Sequence, residues 1–401
     1  MATAELLWFT FLGIGTGIIT GLVPGIHINL VTVIVVSLSG TLLVWISPLG
    51  LAVFLISLAI THTFLDAIPS IYLGAPDAGQ ELNVLPGHRL LLRGEGHNAL
   101  VYTLLGSLGA LLLSIALLPL FIWLMNLFSL WVQRVVGYLL IVIMMYMIGK
   151  DRRTWLKSLT LFLLSGCLGL FVFSLPYLRQ PLFPLLSGLF GISLLIVSLW
   201  QKSTIPPQKE KPLHLSRKHL FKAVSAASGV GFIAAFLPGF GSSQAAIVAT
   251  QVVGDLGDEG FLTLVGGINT ANMLISLGTA YALAKARNGS IVGVLDILGS
   301  ISLSHLMIFL AVSLIAGGSA TLLGIWLSRL FARHIAKVNY RALVMGIIIF
   351  ITVLAVVFDG VVGLTILLTA TALGLIAASW NIGKNHLLGC LIVPVILYFI
   401  L

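Results

Sequence analysis

The sequence has 401 residues, of which 59% are hydrophobic and only 8% are charged. Soluble globular domains carry about 25% charged residues, and a mean hydropathy of +1.14 excludes that class. The apolar residues form long continuous runs, whereas a membrane barrel would show alternating segments of about ten residues. The expected fold is therefore an all-α, polytopic membrane protein.

The net charge of +9 does not predict a nucleic-acid partner. Membrane proteins concentrate Lys and Arg in cytoplasmic loops, and here the basic residues cluster between apolar runs. The two cysteines, Cys167 and Cys390, stand alone inside apolar runs, so neither a metal motif nor a disulfide framework is predicted. We expect a multi-pass protein of the cell membrane, surrounded by the lipid bilayer and without a cofactor.

The first half begins with an apolar helix over residues 5–23, which ends at a Pro24-Gly25 break. Its glycines are small enough to let neighbouring helices approach closely. A second apolar run covers residues 28–47, and the two runs are interpreted either as two full spans or as a re-entrant hairpin. Further spans of this half are predicted at 51–73, 98–128, 132–149, 155–176 and 180–200.

Residues 201–218 are polar, basic and rich in proline, which is typical of an exposed linker between two halves. Their Lys and Arg content assigns this linker to the cytoplasm. The second half then opens with an apolar helix at 219–237 that runs into Pro238-Gly239. Its remaining segments are predicted at 244–253, 261–284, 291–316, 318–335, 342–358, 361–379 and 386–401.

The shared order of features predicts a duplication, with one transmembrane repeat over residues 1–200 and another over 219–401. Each half has an apolar helix, a Pro-Gly break and then a polar cluster in a long apolar segment. Counting spans between the basic loops gives the halves opposite orientations if residues 318–335 lie partly along the membrane interface. We therefore expect two inverted-topology repeats with broken or re-entrant helices, an arrangement that places a transporter's binding site near the membrane centre.

The two Pro-Gly breaks are interpreted as parts of one anion site. Proline removes a backbone donor and glycine lacks a side chain, so a helix is expected to stop there. The helix that follows presents unpaired N–H groups and a partial positive charge at its amino terminus, which can bind an anion without a lysine or arginine. The alternative is that both kinks only serve packing. The residues assigned to substrate binding at the breaks are Pro24, Gly25, His27, Asn29, Pro238, Gly239, Gly241, Ser242, Ser243 and Gln244.

Two polar clusters interrupt the apolar segments that follow the breaks. Their hydroxyl, imidazole and amide groups suit the oxygens of a carboxylate or phosphate, or a Na⁺ ion. The alternative is that they form hydrogen bonds between helices. The cluster residues assigned to substrate binding are Thr61, His62, Thr63, Asn269, Thr270 and Asn272.

Asp66 lies at the end of the first polar cluster, inside an otherwise apolar segment. A carboxyl group at membrane depth is costly unless it is paired or hydrated. We interpret Asp66 as the site of a coupling ion, either H⁺ or Na⁺. A helix cap or an interfacial position is the alternative.

No enzyme signature is present in the sequence. There is no Gly-rich loop ending in Lys-Ser/Thr, so ATP hydrolysis is not expected. A His-Glu-x-x-His motif and a nucleophile elbow are also lacking. The chain is therefore not expected to be an enzyme, and an intramembrane hydrolase using His and Asp is kept only as a further alternative.

Four stretches carry a resemblance to a known family: residues 21–27, 70–77 with the loop that follows to Gly96, 236–241 and 269–272. Through these motifs the sequence resembles the large membrane subunit of the tripartite tricarboxylate transporter family, in a compact, stand-alone form. The resemblance implies an all-helical fold with inverted repeats. It also implies transport of a carboxylate, usually coupled to a cation.

The same breaks leave a second function open. A Pro-Gly break followed by small polar residues also resembles membrane translocases of polyprenyl phosphate lipids, whose phosphate a helix amino terminus would bind by the same physics. A solute permease needs a site closed to lipid, whereas a flippase needs a lateral opening between helices. The expected partner is thus an anionic small molecule or a lipid phosphate, and a homo-oligomer is not excluded.

Overall fold

The computed structural model of the protein describes its fold over most of the sequence. The described residues are 2–23, 28–74, 82, 84–149, 153–200, 205–236, 241–286, 288–335 and 339–400. Within these ranges the chain is helical apart from turns and short connections, and no strand occurs. Eight helical segments of the described chain are long and apolar enough to cross a membrane. The prediction of an all-α, multi-pass membrane protein is confirmed.

The α-helices of the described ranges are numbered α1 to α16 in chain order. Those of the first half are α1 (Ala2–Leu22), α2 (Ile28–Ser37), α3 (Ser39–Leu42), α4 (Pro48–Leu65), α5 (Val84–Leu92), α6 (Gly96–Gly149), α7 (Trp155–Phe173), α8 (Leu182–Leu186) and α9 (Ser193–Trp200). Those of the second half are α10 (Arg217–Phe236), α11 (Ser242–Val253), α12 (Gly257–Leu283), α13 (Gly289–Leu298), α14 (Leu303–Ile335), α15 (Tyr340–Ser379) and α16 (Gly389–Ile400). The π-helical segments are Pro69–Leu73 and Ser187–Ile192, and a 3₁₀-helix, Lys384–Leu388, precedes α16.

The helices α4 and α12 form the centre of the molecule. Helix α4 begins where the Ser47 hydroxyl accepts a hydrogen bond from the Gly50 N–H, with Pro48 in the first turn. From Gly50 to Leu65 every residue of α4 is buried, and most of α12 is buried as well. A helix that is apolar on all sides is stable only inside a protein or a membrane. These two helices carry the predicted polar clusters.

Small residues bring the first helix of each half against its central helix. A methyl group added at Gly17 of α1 would lie 2.6 Å from the Thr61 Cβ of α4. One added at Gly231 of α10 would lie 2.6 Å from the Ala271 Cβ of α12. Gly17 and Gly231 both stand seven positions before the proline of their own Pro-Gly break. The close helix approach predicted from the glycines is confirmed, and its recurrence supports a duplication.

The two halves are interleaved. Helix α6 of the first half packs extensively along α12, and α14 of the second half packs along α4. At one crossing a methyl group added at Gly106 of α6 would collide with the backbone carbonyl of Thr263. Each central helix is thus covered by a long helix from the other half, so the polar clusters are held between the two halves.

Helices α2 and α11, which follow the breaks, are short. Helix α2 has 10 residues and α11 has 12, whereas a membrane-spanning helix needs about 20. Neither helix can cross a bilayer alone. Of the two interpretations of residues 28–47, the full second span is therefore wrong, because α2 ends at Ser37 and the four-residue α3 follows it.

The spans predicted separately at 98–128 and 132–149 lie in one continuous helix, α6, of 54 residues. The separation was wrong because Gln133 and Arg134 are good helix formers, and neither Gly nor Pro stands between 120 and 136. Polar residues alone do not stop a helix. At about 80 Å, α6 is longer than the hydrocarbon core of a bilayer.

The spans predicted at 291–316 and 318–335 are also wrong in their boundary. Helix α13 ends at Leu298, and α14 runs unbroken from Leu303 to Ile335. Gly299 adopts a φ of +72°, a conformation that ends helices and favours glycine. Gly317, at the predicted boundary, lies inside α14, because its missing side chain leaves room for Leu111 and Phe64.

The described part of the linker, residues 205–216, contains no helix or strand and lies against the junction of α5 and α6. The Lys209 N–H donates to the Gly94 carbonyl over 2.9 Å, and the Asn98 amide donates to the Lys211 carbonyl over 2.8 Å. On the other side, Arg329 of α14 pairs with Glu210 at 3.1 Å. The linker therefore connects the first half to α14 through specific hydrogen bonds and an ion pair.

Candidate functional site

The two predicted polar clusters meet at the contact between α4 and α12. The Asn269 Nδ2 donates a hydrogen bond of 2.7 Å to the Asp66 Oδ2, across 203 positions of sequence. Both side chains are buried, with exposed fractions of 2% for Asp66 and 9% for Asn269. A buried carboxylate needs such partners, and here the partner comes from the other half of the chain.

The amino terminus of α11 lies at the same place. Gly241 is extended, with φ −86° and ψ 178°, and Ser242 begins the helix. The Ser242 hydroxyl donates to the Asn269 Oδ1 at 3.5 Å, and the Asn272 Nδ2 donates to the Ser242 Oγ at 3.4 Å. The first N–H groups of a helix have no partner within it. The helix that follows the second break therefore begins beside Asn269 and Asp66.

These hydrogen bonds are linked in series: the residue that accepts one bond donates the next. Asn272 donates to Ser242, Ser242 donates to Asn269, and Asn269 donates to Asp66. An ionised carboxylate can only accept hydrogen bonds, whereas a protonated one also donates. The last donor of the series is the Asn269 amide, and Asp66 Oδ2 is the final acceptor. A proton or cation on Asp66 would compete with the Asn269 amide.

A second polar contact joins α4 to α12 beside the first. The Thr63 and Thr270 hydroxyl oxygens are 3.3 Å apart, and both side chains are buried. Thr63 also donates to the Ile60 carbonyl of its own helix. Thr63 and Asp66 are three positions apart, so they share one face of α4. On this face of α4, which is turned toward α12, Thr63 and Asp66 contact the second polar cluster.

The other two residues of the first cluster face α1. The His62 Nδ1 lies 3.1 Å from the Thr20 Oγ1, and Thr61 packs against Gly17. The Thr61 hydroxyl oxygen is buried without a hydrogen-bond partner among the described residues. The predicted substrate-binding set is thus divided between two faces of α4. Sequence reasoning missed Thr20, whose only signal was its position four residues before Pro24.

The described end of α1 lies beside Asp66. A methyl group added at Gly21 would be 2.8 Å from the Leu65 Cβ and 3.4 Å from the Asp66 N. Helix α2 then packs on α13, where the Thr32 hydroxyl donates to the Ser290 Oγ over 3.2 Å. The predicted residues Pro24, Gly25, His27, Pro238 and Gly239 lie outside the described residues, as do the side chains of Asn29, Ser243 and Gln244.

The geometry provides hydrogen-bond donors and a carboxylate. Within the described ranges, no group of three or more His, Cys, Asp or Glu side chains is arranged to hold a metal ion. The site joins one acid to two amides, a serine hydroxyl and a helix amino terminus. Such a set can bind an anion through its donors and a small cation or proton through Asp66.

Comparison with known proteins identifies the family of the chain. Residues 7–389 match the Tripartite tricarboxylate transporter TctA family. An uncharacterized protein of Methanocaldococcus jannaschii is 29% identical over 406 aligned positions, which cover 98% of this chain and 99% of that protein. No solved structure matches the chain. The family match spans both breaks and both polar clusters.

Proposed function

Because the chain belongs to the tripartite tricarboxylate transporter TctA family, we propose that it is a permease that moves a carboxylate across the membrane, coupled to H⁺ or Na⁺. The observation that carries the proposal is the hydrogen bond from Asn269 to the buried Asp66. This bond joins the two halves of the chain, and it supports a coupling role for Asp66 because the amino terminus of α11 begins beside the same amide.

The substrate side of the site consists of donors. A helix amino terminus carries about half a positive charge, and α11 directs its first turn toward the Asn269 amide. The Ser242 hydroxyl and the Asn272 amide add donors of adjustable direction. A carboxylate accepts several hydrogen bonds at once, so this set suits it without a lysine or arginine in direct contact.

The coupling side of the site is Asp66. An ionised Asp66 repels a carboxylate bound nearby, because two negative charges in a buried site interact strongly. A proton or Na⁺ on Asp66 removes that repulsion and frees the Asn269 amide for the substrate. Ion and substrate then favour each other's binding by the same factor, as linkage requires. This reciprocity is the proposed basis of coupled transport.

We further propose that the halves are inverted repeats and that the linker is cytoplasmic. The recurring glycine contacts and the cross-packing of α6 and α14 support two related halves that can rock around a central site. A cysteine placed at position Gln208 tests the orientation. It should react with an impermeant reagent added from the cytoplasmic side, and reaction only from outside would contradict the topology.

Transport itself is tested with purified protein in liposomes. Labelled citrate, succinate and acetate are offered under an inward H⁺ or Na⁺ gradient, with protein-free liposomes as the control. We expect carboxylate accumulation that requires one of the two gradients. In a parallel arm, fluorescent polyprenyl phosphate is followed between the leaflets. Lipid movement without carboxylate uptake would contradict the permease and identify a flippase.

A further inference from the structure

The helix that carries Asp66 continues into the π-helical segment Pro69–Leu73. Pro69 has no N–H and therefore cannot donate to the carbonyl four positions back, which interrupts the α-helical pattern. The chain widens instead, and the Gly74 N–H donates to the Pro69 carbonyl five positions back. Gly74 ends the segment with a φ of +63°. π-Helical turns inside helices are frequent at functional sites, and this one begins three positions after Asp66.

Two hydroxyl groups connect the π-helical segment to its surroundings. The Ser70 hydroxyl donates to the Asp66 backbone carbonyl over 3.3 Å. The Tyr72 hydroxyl donates to the Ser328 carbonyl of α14 over 3.0 Å and lies 2.9 Å from the Ser328 Oγ. Tyr72 and Ser328 are 1% and 0% exposed, so water does not compete for these bonds. The segment therefore joins the backbone of Asp66 to α14.

Ser328 is also held by α6 and, through it, by the linker. The His97 Nδ1 of α6 lies 3.0 Å from the Ser328 Oγ, and the His97 Nε2 lies 4.0 Å from the Glu210 Oε2 of the linker. Glu210 pairs at 3.1 Å with Arg329, the residue that follows Ser328. Because α6 and the linker both contact this end of α14, Ser328 is a fixed anchor for the Tyr72 hydroxyl.

The Tyr72 hydroxyl sets a position rather than filling space. The Tyr72 ring packs on the Phe331 ring, with the centroids 5.4 Å apart, a contact that a phenylalanine would also make. A buried tyrosine hydroxyl needs a hydrogen-bond partner, which favours the orientations of the segment in which it reaches Ser328. A functional group must be held within about 0.5 Å of its productive geometry by supporting residues. The segment that follows Asp66 provides such support.

We propose that Tyr72 is a positioning residue for Asp66, acting through the π-helical segment. The inference rests on the proposed coupling role of Asp66. Without the Tyr72 hydroxyl, the segment and the Asp66 backbone that it contacts gain freedom, and the Asp66 carboxylate binds its ion less tightly. Ion and substrate favour each other's binding, so this loss is measurable through citrate binding.

The test is citrate binding to the purified full-length proteins, measured by calorimetry while the Na⁺ or H⁺ concentration is varied. For Tyr72→Phe, the ion concentration that gives half of the maximal gain in citrate affinity should rise about two- to tenfold, as expected for the loss of one hydrogen bond. Tyr102→Phe is the matched control, because Tyr102 is also buried and its hydroxyl accepts the His214 N–H of the linker over 3.0 Å. This control should respond to the ion as the wild type does.

A double variant tests whether Tyr72 acts through Asp66. At an ion concentration below saturation, Tyr72→Phe should raise the citrate Kd in the wild-type background and leave it unchanged in Asp66→Asn. Ser328→Ala removes the Oγ contact but keeps the carbonyl acceptor, so it should shift the ion response in the same direction by less. If Tyr72→Phe does not fold, Ser328→Ala takes its place, and an unchanged ion response there overturns the inference.

The outcomes separate this inference from the proposed function. An ion response of Tyr72→Phe equal to that of the wild type overturns the inference and leaves coupled carboxylate binding intact. An equal shift in Tyr102→Phe, or an equal loss of citrate affinity in the Asp66→Asn background, identifies a general structural role of Tyr72 and also overturns it. A wild type that binds citrate equally at all ion concentrations contradicts the coupling proposal, and the inference falls with it.

Discussion

Helix α12 contacts the first half of the chain in two chemically different ways. Near its amino terminus, Asp258 forms ion pairs with Arg89 at 2.8 Å and with Arg93 at 3.8 Å. Eleven positions further along, about 16 Å up the helix axis, Asn269 donates to the buried Asp66. The first contact is on the surface, with the Arg89 side chain 53% exposed, and the second is enclosed by protein.

The two contacts differ in the free energy that each is expected to contribute, and the contact with more formal charges is expected to contribute less. Exposed ion pairs contribute about 0–1 kcal/mol and are screened by salt. A buried carboxylate that loses a donor costs more, because burial keeps out the water that would replace that donor. We therefore place the function at the amide–carboxylate contact and assign the Arg89–Asp258 pair only a minor part in holding the halves together.

The largest effect is expected for Asp66→Asn. Asparagine has nearly the same shape but binds neither a proton nor a cation as a carboxylate does, so gradient-driven citrate uptake should fall to the level seen without a gradient. Uptake in liposomes with and without an imposed H⁺ or Na⁺ gradient measures this effect. Asp258→Asn removes an equal charge from the surface contact and serves as the control. Accumulation by Asp66→Asn at the wild-type level would refute the coupling role.

The next effect is expected for Asn269→Leu. Leucine removes the amide that is proposed to donate to the substrate once Asp66 carries its ion, at a cost of about 1–3 kcal/mol. The citrate concentration for half-maximal uptake should therefore rise by about 5–150-fold. Ser276→Ala is the control on the same helix, because the Ser276 hydroxyl donates to the Asn272 carbonyl of its own helix. If Asn269→Leu transports as well as Ser276→Ala does, the amide has no role in transport.

A smaller effect is expected for Thr270→Val. This change removes the contact of 3.3 Å with Thr63 but keeps the shape of the side chain. Hydrogen bonds between membrane helices contribute about 0.6 kcal/mol, so the melting temperature should fall slightly and the uptake rate should change by less than about threefold. Thermal unfolding and initial uptake rates are measured together. A complete loss of uptake would contradict this prediction and indicate that Thr63 and Thr270 belong to the binding site.

The smallest effect is expected for Asp258→Asn. The lost ion pairs are exposed, so stability should change by about 1 kcal/mol or less. The difference from the wild type should shrink further as the salt concentration rises, because salt screens exposed charges. Melting curves at low and high salt measure this dependence. A large difference in melting temperature that persists in high salt would show that the Arg89–Asp258 contact contributes as much stability as the buried contact between Asp66 and Asn269.

Much of this organisation could be predicted from local sequence signals. The Pro-Gly breaks mark where α1 and α10 end and where α2 and α11 begin, since glycine and proline act on their own backbone. Asp66 stood out because an acid is rare in an apolar segment. The polar clusters were recognisable for the same reason, although their division between two faces of α4 required the packing of α1.

The remaining features depend on contacts between distant segments. The placement of Gly317 inside α14 goes with its packing against Leu111 and Phe64, which the sequence around Gly317 does not show. The Asn269 amide that donates to Asp66 is 203 positions away, and no local sequence pattern pairs the two residues.

The central claim is that Asp66 and Asn269 form one site shared by the two halves. A double-mutant cycle measures it most directly, through citrate binding to the wild type, Asp66→Asn, Asn269→Leu and the double variant, each with and without the coupling ion. The account predicts strong non-additivity, with the double variant binding no more weakly than the worse single variant and with no response to the ion in any protein that lacks Asp66. Losses that simply add, together with an ion response that survives in Asp66→Asn, would contradict it.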